Sequence, residues 1–155
     1  MTLKEYKEKR NFRITPEPRP EPAKGKRKGL AYVIQKHQAS HLHYDLRLEK
    51  EGVLKSWAIP KAPPEREGVR RLAVQTEDHP LGYGDFEGVI PEGEYGAGRV
   101  EVWDKGTYIE EEAAPGKSVV VIKGRRLNGR YALIKLKPRS ADDKNWLFFK
   151  LKSPL

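Results

Sequence analysis

The chain has 155 residues, 34% of them charged and 37% hydrophobic, and its formal net charge is +9. It has no cysteine, which excludes disulfides, thiolate catalysis and cysteine-ligated zinc sites. No apolar run of about 18 residues suggests a membrane span, and the charged N-terminus does not resemble a signal peptide. We therefore expect a cytoplasmic, monomeric protein with one domain over residues 1–155. Its basic charge favours a polyanionic partner, with nucleic acid first and an acidic membrane second.

The N-terminal segment, residues 1–29, is predicted to hold a short helix and then an extended arm. Residues 2–10 can form the helix, with Thr2 as its cap and Glu5 placed as in a capping box. Prolines and a basic run make residues 15–29 an extended or mobile arm. A solvated linker and an arm that contacts nucleic acid both stay open.

From residue 30 onward the sequence changes to short strand patterns without a long amphipathic helix. The candidates are residues 30–36, 42–49, 53–60, 71–77, 86–90, 99–111, 118–124, 130–137 and 146–152. Turn signals separate them at residues 49–52, at residues 91–98 and at the Asn128-Gly129 pair. The pattern predicts a mainly all-β fold, an antiparallel barrel or sandwich over residues 30–155.

The stretch at residues 35–49 holds three of the four histidines. Because strand side chains alternate between faces, residues 42, 44, 46 and 48 form an apolar face that packs on a core. The opposite face carries His43, Asp45, Arg47 and Glu49. Such a polar row is costly to bury unless it is paired or coordinated. A divalent metal held by His37, His43 and Asp45 would satisfy it and keep open positions for catalysis.

His79 follows the strand candidate at residues 71–77 and precedes Pro80, so we expect it on a loop at a strand end, where functional residues concentrate. Arg47, Lys61, Arg71 and His79 offer donors to a phosphate. Manganese suits a site of two histidines and one aspartate, and zinc or iron also fits.

Two alternatives stay open on the residues alone. One is an iron(II) oxygenase in which His43, Asp45 and His79 form the metal triad. The other is a non-catalytic basic barrel that binds nucleic acid through charge and aromatic side chains. The oxygenase requires His79 as a metal ligand, whereas a phosphoesterase requires His37 as the ligand and His79 as a phosphate contact.

Several long segments, taken in order, resemble the 3′-phosphoesterase domain of bacterial DNA ligase D. They are KRNFRITPEP, QKHQASHLHYDLRLE, LKSWAIPKAPP, AVQTEDHPLGYGDFEGVIPEGEYGAG and WLFFKLK. The resemblance implies a compact β-barrel with a grooved active site and a manganese-dependent enzyme, with Co²⁺, Zn²⁺ or another divalent metal as substitutes. It implies that a 3′-terminal ribonucleoside and then the 3′-phosphate are removed from a primer strand, leaving a 3′-OH.

The resemblance also implies roles for individual residues. His37, His43 and Asp45 match the metal ligands, and Arg47 and His79 match residues that hold the scissile phosphate. Further matched active-site positions are Gln35, Lys61, Arg71, Tyr83, Arg10 and Glu17. Asn11 stands where the family has an aspartate, which removes a carboxylate from the N-terminal segment. The expected partners are a DNA primer–template and, by analogy, a DNA ligase and a polymerase in non-homologous end joining, with this chain as a stand-alone member.

Overall fold

The computed structural model describes residues 3–18, 20 and 29–153, and strands dominate it. A short helix, α1, spans Lys4–Glu8, and a 3-10 helix spans Leu81–Asp85. The strands are β1 Leu30–Gln38, β2 Leu42–Lys50, β3 Val53–Ile59, β4 Arg70–Gln75, β5 Gly88–Ile90, β6 Gly98–Ala114, β7 Lys117–Lys123, β8 Asn128–Lys135 and β9 Asn145–Lys150.

Eight antiparallel strands close into a barrel in the order β1-β2-β3-β4-β9-β8-β7-β6, because β6 also pairs with β1. The long strand β6 pairs with β1 along its first part and with β7 along its second part. Strand β5 pairs with the first residues of β6, outside the ring. The prediction of an antiparallel barrel with a short N-terminal helix is therefore confirmed.

Period-two alternation gives the barrel strands two different faces. The interior is filled by apolar residues from all around the ring, among them Tyr32, Ile34, Leu46, Ile59 and Phe148, all fully buried. A second apolar cluster covers the outside of β1–β3. Its members are Tyr6, Leu54, Tyr83, Phe86, Ile90 and Val100. The outer face of these strands is thus covered by α1, the 3-10 helix and the segment before β6.

One close approach depends on glycine at the start of β6. Gly98 has φ +138°, and a Cβ there would collide with the backbone carbonyl of Gln38 at the end of β1. This glycine allows β6 to lie against β1 as soon as the preceding turn ends. The turn at residues 91–97 is thereby held next to the C-terminal end of β1, beside His37.

The Asn128-Gly129 turn prediction is wrong. Both residues lie in β8, paired with Lys123 and Ile122. The connection is the preceding turn, closed by a hydrogen bond from the Gly124 N–H to the Leu127 carbonyl. The Asp104 carboxylate accepts three backbone N–H groups from this turn. A long-range carboxylate therefore decides where the chain reverses, in place of the local Asn-Gly signal.

The N-terminal segment packs more closely on the barrel than predicted. The helix is shorter than expected, with Leu3 in the N-cap position, and the predicted cap Thr2 lies outside the described residues. Thr15 and Glu17 are buried, so the interpretation as a solvated linker is wrong for the first residues of the arm. Most of its basic run, residues 21–28, lies outside the described parts of the chain. Within those parts, no helix has the length and apolar content to cross a bilayer.

Candidate metal and phosphate site

Three predicted ligands meet on the outer face of β1 and β2. The strand register places His37 opposite His43 and Gln35 opposite Asp45. Candidate ligand atoms of His37, His43 and Asp45 all lie within 4.8 Å of one another. Asp45 Oδ2 is 3.3 Å from His43 Nε2 and 3.6 Å from His37 Nδ1. Two neighbouring strands thus bring the predicted set together.

Backbone carbonyls orient both histidine rings toward Asp45. His37 Nε2 lies 2.7 Å from the Gly96 carbonyl, and His43 Nδ1 lies 3.1 Å from the His41 carbonyl. Because a carbonyl only accepts, we assign the N–H to these two nitrogens. The lone pairs of His37 Nδ1 and His43 Nε2 then face the Asp45 carboxylate. This arrangement of two lone pairs and one carboxylate, each histidine held from behind, fits a divalent metal.

Asp45 is buried but ionised. Burial opposes its charge, but the Arg47 guanidinium and contacts with His37 and His43 outweigh burial and hold the pKa of the carboxyl well below its usual range. Burial also opposes a charge on His43, and the Asp45 carboxylate outweighs it and raises the pKa of this imidazole. An anionic Asp45 between two imidazoles attracts a cation to this position.

Arg47 lies beside the triad with its side chain fully enclosed. Its Nε donates to Gln35 Oε1 at 2.6 Å and its Nη1 to Ser56 Oγ at 2.8 Å. Its Nη2 is 3.4 Å from Asp45 Oδ2, and the Tyr83 ring lies 4.8 Å from the guanidinium carbon. With partners on several sides, the guanidinium has one fixed orientation, as anion recognition requires.

Gln35 and the 3-10 helix support this arginine. The Gln35 side-chain amide donates to the carbonyls of Tyr83, at 2.6 Å, and Phe86, at 3.1 Å. The side-chain oxygen of Gln35 therefore faces the Arg47 guanidinium. The structure places Gln35 and Tyr83 as supports of the guanidinium, one from β1 and one from the 3-10 helix.

His79 lies between two arginines rather than among the metal ligands. Its backbone pairs with Leu54 of β3, which holds the loop against the barrel. Arg47 Nη1 is 3.2 Å from His79 Nδ1, and Arg10 Nη2 is 3.4 Å from Nε2. Burial and these two cations lower the pKa of His79 well below its usual value. Among the residues that the structure describes, His79 is not part of the metal-ligand cluster, which disfavours the oxygenase triad.

The N-terminal segment completes the site. Arg10 donates to Glu17 and to Glu77, each at 2.8 Å, and its guanidinium stacks 3.9 Å from the centre of the Tyr6 ring. Glu17 also accepts a hydrogen bond from the Tyr83 hydroxyl at 2.7 Å. The predicted site residues Arg10 and Glu17, far from the triad in sequence, thus lie beside His79.

Sequence reasoning missed two residues of this network. Glu77 balances Arg10, and its backbone carbonyl lies 3.0 Å from His79 Nδ1. Tyr6 packs edge-on against His79, with ring centres 5.2 Å apart. The only sequence signal for Glu77 was its place two residues before His79, and that for Tyr6 was an aromatic residue on a short charged helix.

Two predicted site residues lie away from the cavity that contains the triad. Lys61 is exposed just after β3, and Arg71 on β4 donates to the carbonyl of its neighbour Ala62 at 2.7 Å. Neither lines the cavity, and neither does the exposed Asn11. Their functional roles stay predictions.

The cavity has a volume of ≈ 320 Å³. One side carries the anionic triad, suited to a cation, and the other carries Arg47 and a neutral imidazole, suited to an oxyanion. A phosphate group would suit both sides, since its oxygens can contact a cation on one side and accept hydrogen bonds from Arg47 on the other.

Comparison with known proteins agrees with this geometry. Residues 35–135 match the family model described as the DNA ligase D 3′-phosphoesterase domain. The chain is 49% identical over 156 residues to the "Multifunctional non-homologous end joining protein LigD" of Pseudomonas aeruginosa, covering 97% of this chain and 18% of that protein. A Mycobacterium tuberculosis relative, the "Multifunctional non-homologous end joining DNA repair protein LigD", is 46% identical over 155 residues, covering 97% of this chain and 20% of the relative.

The chain thus spans about a fifth of the length of these curated relatives. The match includes all the assembled site residues of β1, β2 and the loop that carries His79. The family match and the identity over nearly the whole chain together establish the family to which the chain belongs. The chain belongs to the DNA ligase D 3′-phosphoesterase domain family.

Proposed function

We propose that this protein is a metal-dependent phosphoesterase that heals DNA 3′ ends. It removes a 3′-terminal ribonucleoside from a primer strand, then the remaining 3′-phosphate, and leaves a 3′-OH. The observation that carries the proposal is the His37–His43–Asp45 cluster directly beside the enclosed Arg47. Family membership supports the phosphoester chemistry. The end-joining names of the relatives support a DNA primer–template as substrate, with a ligase and a polymerase as partners.

His37, His43 and Asp45 would hold the metal, with manganese as our first expectation. A bound divalent ion supplies Lewis-acid polarisation of phosphoryl oxygens. Arg47 contributes donors to the same phosphate, and it needs no reorganisation because Gln35 and Ser56 already fix its side chain. Charge that develops on the phosphoryl oxygens is thereby stabilised by groups that are in place before the substrate arrives.

His79 would act as the general base and then as the general acid. We assign the proton to Nδ1 because its nearest partner, at 3.0 Å, is the Glu77 carbonyl, which only accepts; the lone pair of the neutral ring then lies on Nε2. The lowered pKa keeps the ring neutral in the free enzyme, so it is ready to accept a proton at Nε2. A bound phosphate adds negative charge that favours the protonated ring, which can then return the proton to the leaving oxygen. With water as the nucleophile, the proton that Nε2 accepts comes from that water. Direct attack by Nε2 is the alternative, in which another group has to protonate the leaving oxygen.

The test uses a 5′-labelled primer–template with one 3′-terminal ribonucleotide, with manganese added, for the wild type and His43→Ala. We expect conversion first to a 3′-phosphate end and then to a 3′-OH end, and loss of both steps in the variant. Activity should also fall as salt rises, since a basic protein releases counterions on binding DNA. Binding without processing by the wild type would instead support the non-catalytic basic barrel.

A further inference from the structure

We propose that Tyr95 forms a stacking subsite for the 3′-terminal nucleoside, the unit that lies beyond the scissile phosphate. This inference rests on the proposed function, and it names the group that the cavity rim recognises. Its basis is an exposed aromatic ring beside the metal triad and two cationic side chains.

Tyr95 differs in exposure from every other tyrosine of the chain. The chain has seven tyrosines, and the other six are at most 9% exposed, whereas Tyr95 is 49% exposed. It nevertheless lines the cavity that contains the triad. A half-exposed aromatic ring at the rim of a phosphate-binding cavity is a feature on which nucleic-acid-binding proteins stack bases.

The turn that carries Tyr95 is anchored to a candidate metal ligand. Two backbone hydrogen bonds close it, from the Glu94 N–H to the Pro91 carbonyl and from the Ala97 N–H to the Glu94 carbonyl. The next residue, Gly96, accepts from His37 Nε2 at 2.7 Å. Its φ of +75° and the closeness of the His37 ring both favour glycine. The backbone of Tyr95 is therefore held close to the place where the phosphate would lie.

Cationic residues of the N-terminal segment reach the same ring. Lys9 Nζ lies 4.6 Å from the ring centre and 3.4 Å from the Tyr95 hydroxyl oxygen, and it also pairs with Glu77 at 3.3 Å. The Arg10 guanidinium carbon is 5.5 Å from the ring centre. The segment after α1 and the turn that carries Tyr95 thus touch each other and close this end of the cavity.

This closed end decides which nucleoside fits. Lys9 Nζ lies 4.6 Å from the centre of the Tyr95 ring, a gap too narrow for a nucleotide strand, so a strand that enters the cavity would have to end on this side. The cavity volume of ≈ 320 Å³ is at the small end of the range for small-molecule sites, roughly 300–1,000 Å³. The structure therefore assigns Tyr95 to the nucleoside that leaves, and the rest of the primer to the open side.

The kinetic test compares two substrates, a primer with a 3′-terminal ribonucleotide and the same primer ending in a 3′-phosphate. Tyr95→Ala should raise KM roughly tenfold for the first substrate only, because stacking is lost. Tyr95→Phe, which keeps the ring, should behave as wild type on both. Ile109→Ala is the control, since Ile109 is 59% exposed on β6 and does not line the cavity. Equal changes on both substrates, or none on either, would overturn the assignment.

A binding measurement separates this inference from the proposed function. A primer with 2-aminopurine as its 3′-terminal base is titrated with protein in chelator, where no turnover takes place. Wild type and Tyr95→Phe should quench the fluorescence, and Tyr95→Ala should not. Equal quenching by Tyr95→Ala would refute the subsite even if catalysis is found. If the wild type quenches but processes neither primer, the proposed function fails and the subsite stands.

Discussion

Fully buried residues occur on both faces of β1 and β2, but they are buried by different means. Ile34 and Leu46 point into the barrel and are fully buried among apolar side chains. On the outer face, Gln35 is 0% and Arg47 3% exposed, yet each of their polar atoms has a specific partner. An apolar side chain needs only contact, whereas a buried charge needs matched partners to offset its lost hydration.

The inner face therefore contributes mainly to stability and the outer face mainly to function. The inner face needs no further layer, since the ring of strands closes on itself. The outer face needs α1, the 3-10 helix and the turn at residues 91–97 to enclose the charged row. We therefore expect inner-face substitutions to change mainly the free energy of unfolding and outer-face substitutions to change mainly the activity.

The largest effect is expected for Arg47→Lys on the outer face. Lysine keeps the positive charge beside Asp45 but cannot contact Gln35, Ser56 and a phosphate in one plane. We expect kcat to fall roughly 10²–10³-fold, as for loss of one preorganised donor to an oxyanion. Single-turnover assays measure this loss.

Arg130→Lys is the matched control, because Arg130 pairs with Glu111 on the surface at 2.6 Å and does not line the cavity. It should keep wild-type kcat. An Arg47→Lys enzyme with wild-type kcat would show that the enclosed guanidinium has no part in the reaction.

Leu46→Ala tests the inner face of the same strand, one residue away from Arg47. Loss of this fully buried side chain should lower the free energy of unfolding by about 2–5 kcal/mol. Urea denaturation measures that change, and kcat at a temperature where the variant is folded should stay near wild type. A large loss of kcat in the fully folded variant would break the proposed separation of the two faces.

A smaller effect is expected from pH through His79. Its folded-state pKa is lowered by burial and by Arg47 and Arg10, while Asp45 and the Glu77 carbonyl act in the opposite direction. The unfolded state therefore binds this proton at a higher pH than the folded state does. As pH falls below about 6.5, protonation of His79 in the unfolded state lowers the free energy of unfolding. For one proton, the free energy of unfolding changes by up to about 1.4 kcal/mol per pH unit.

His79→Asn removes this titration, so its unfolding curve serves as the reference. In chelator, the wild type and the variant should differ in the pH dependence of the unfolding free energy below about pH 6.5. Parallel curves in that pH range would mean that His79 keeps an ordinary pKa in the folded protein.

The smallest effect is expected for Asn11→Asp, which restores the aspartate usual in the family. Asn11 is exposed and outside the cavity, and its side-chain oxygen accepts from the Arg13 N–H at 3.1 Å. We expect the ratio of ribonucleoside removal to phosphate removal to stay within about twofold, as for a surface position. A clear rise in ribonucleoside removal would show that the N-terminal segment reaches the substrate in a different conformation.

The alternation of apolar and polar residues was sufficient to predict the strands and the two faces of β2. Alternation placed Leu46 inside and Asp45 outside, because a strand offers only two directions. The Asn128-Gly129 turn failed because the Asp104 carboxylate, distant in sequence, organises the preceding residues. A local signal cannot report a partner supplied by another strand.

The site was predictable only in part for the same reason. The triad lies on two adjacent strands joined by a short turn, so sequence proximity nearly equals spatial proximity. The Arg10–Glu77 pair joins residues 67 positions apart, and no sequence pattern indicates it. Arg10 and Glu17 were found through family resemblance, while Glu77 and Tyr6 required the folded chain.

A calorimetric titration of Mn²⁺ into wild type, His37→Ala and His79→Ala tests most directly whether His37, His43 and Asp45 hold the metal. The geometry predicts one site in the wild type, a severe loss of affinity in His37→Ala and retained binding in His79→Ala, which should be inactive all the same. Retained binding in His37→Ala with loss in His79→Ala would contradict the account, because it would make His79 the third ligand.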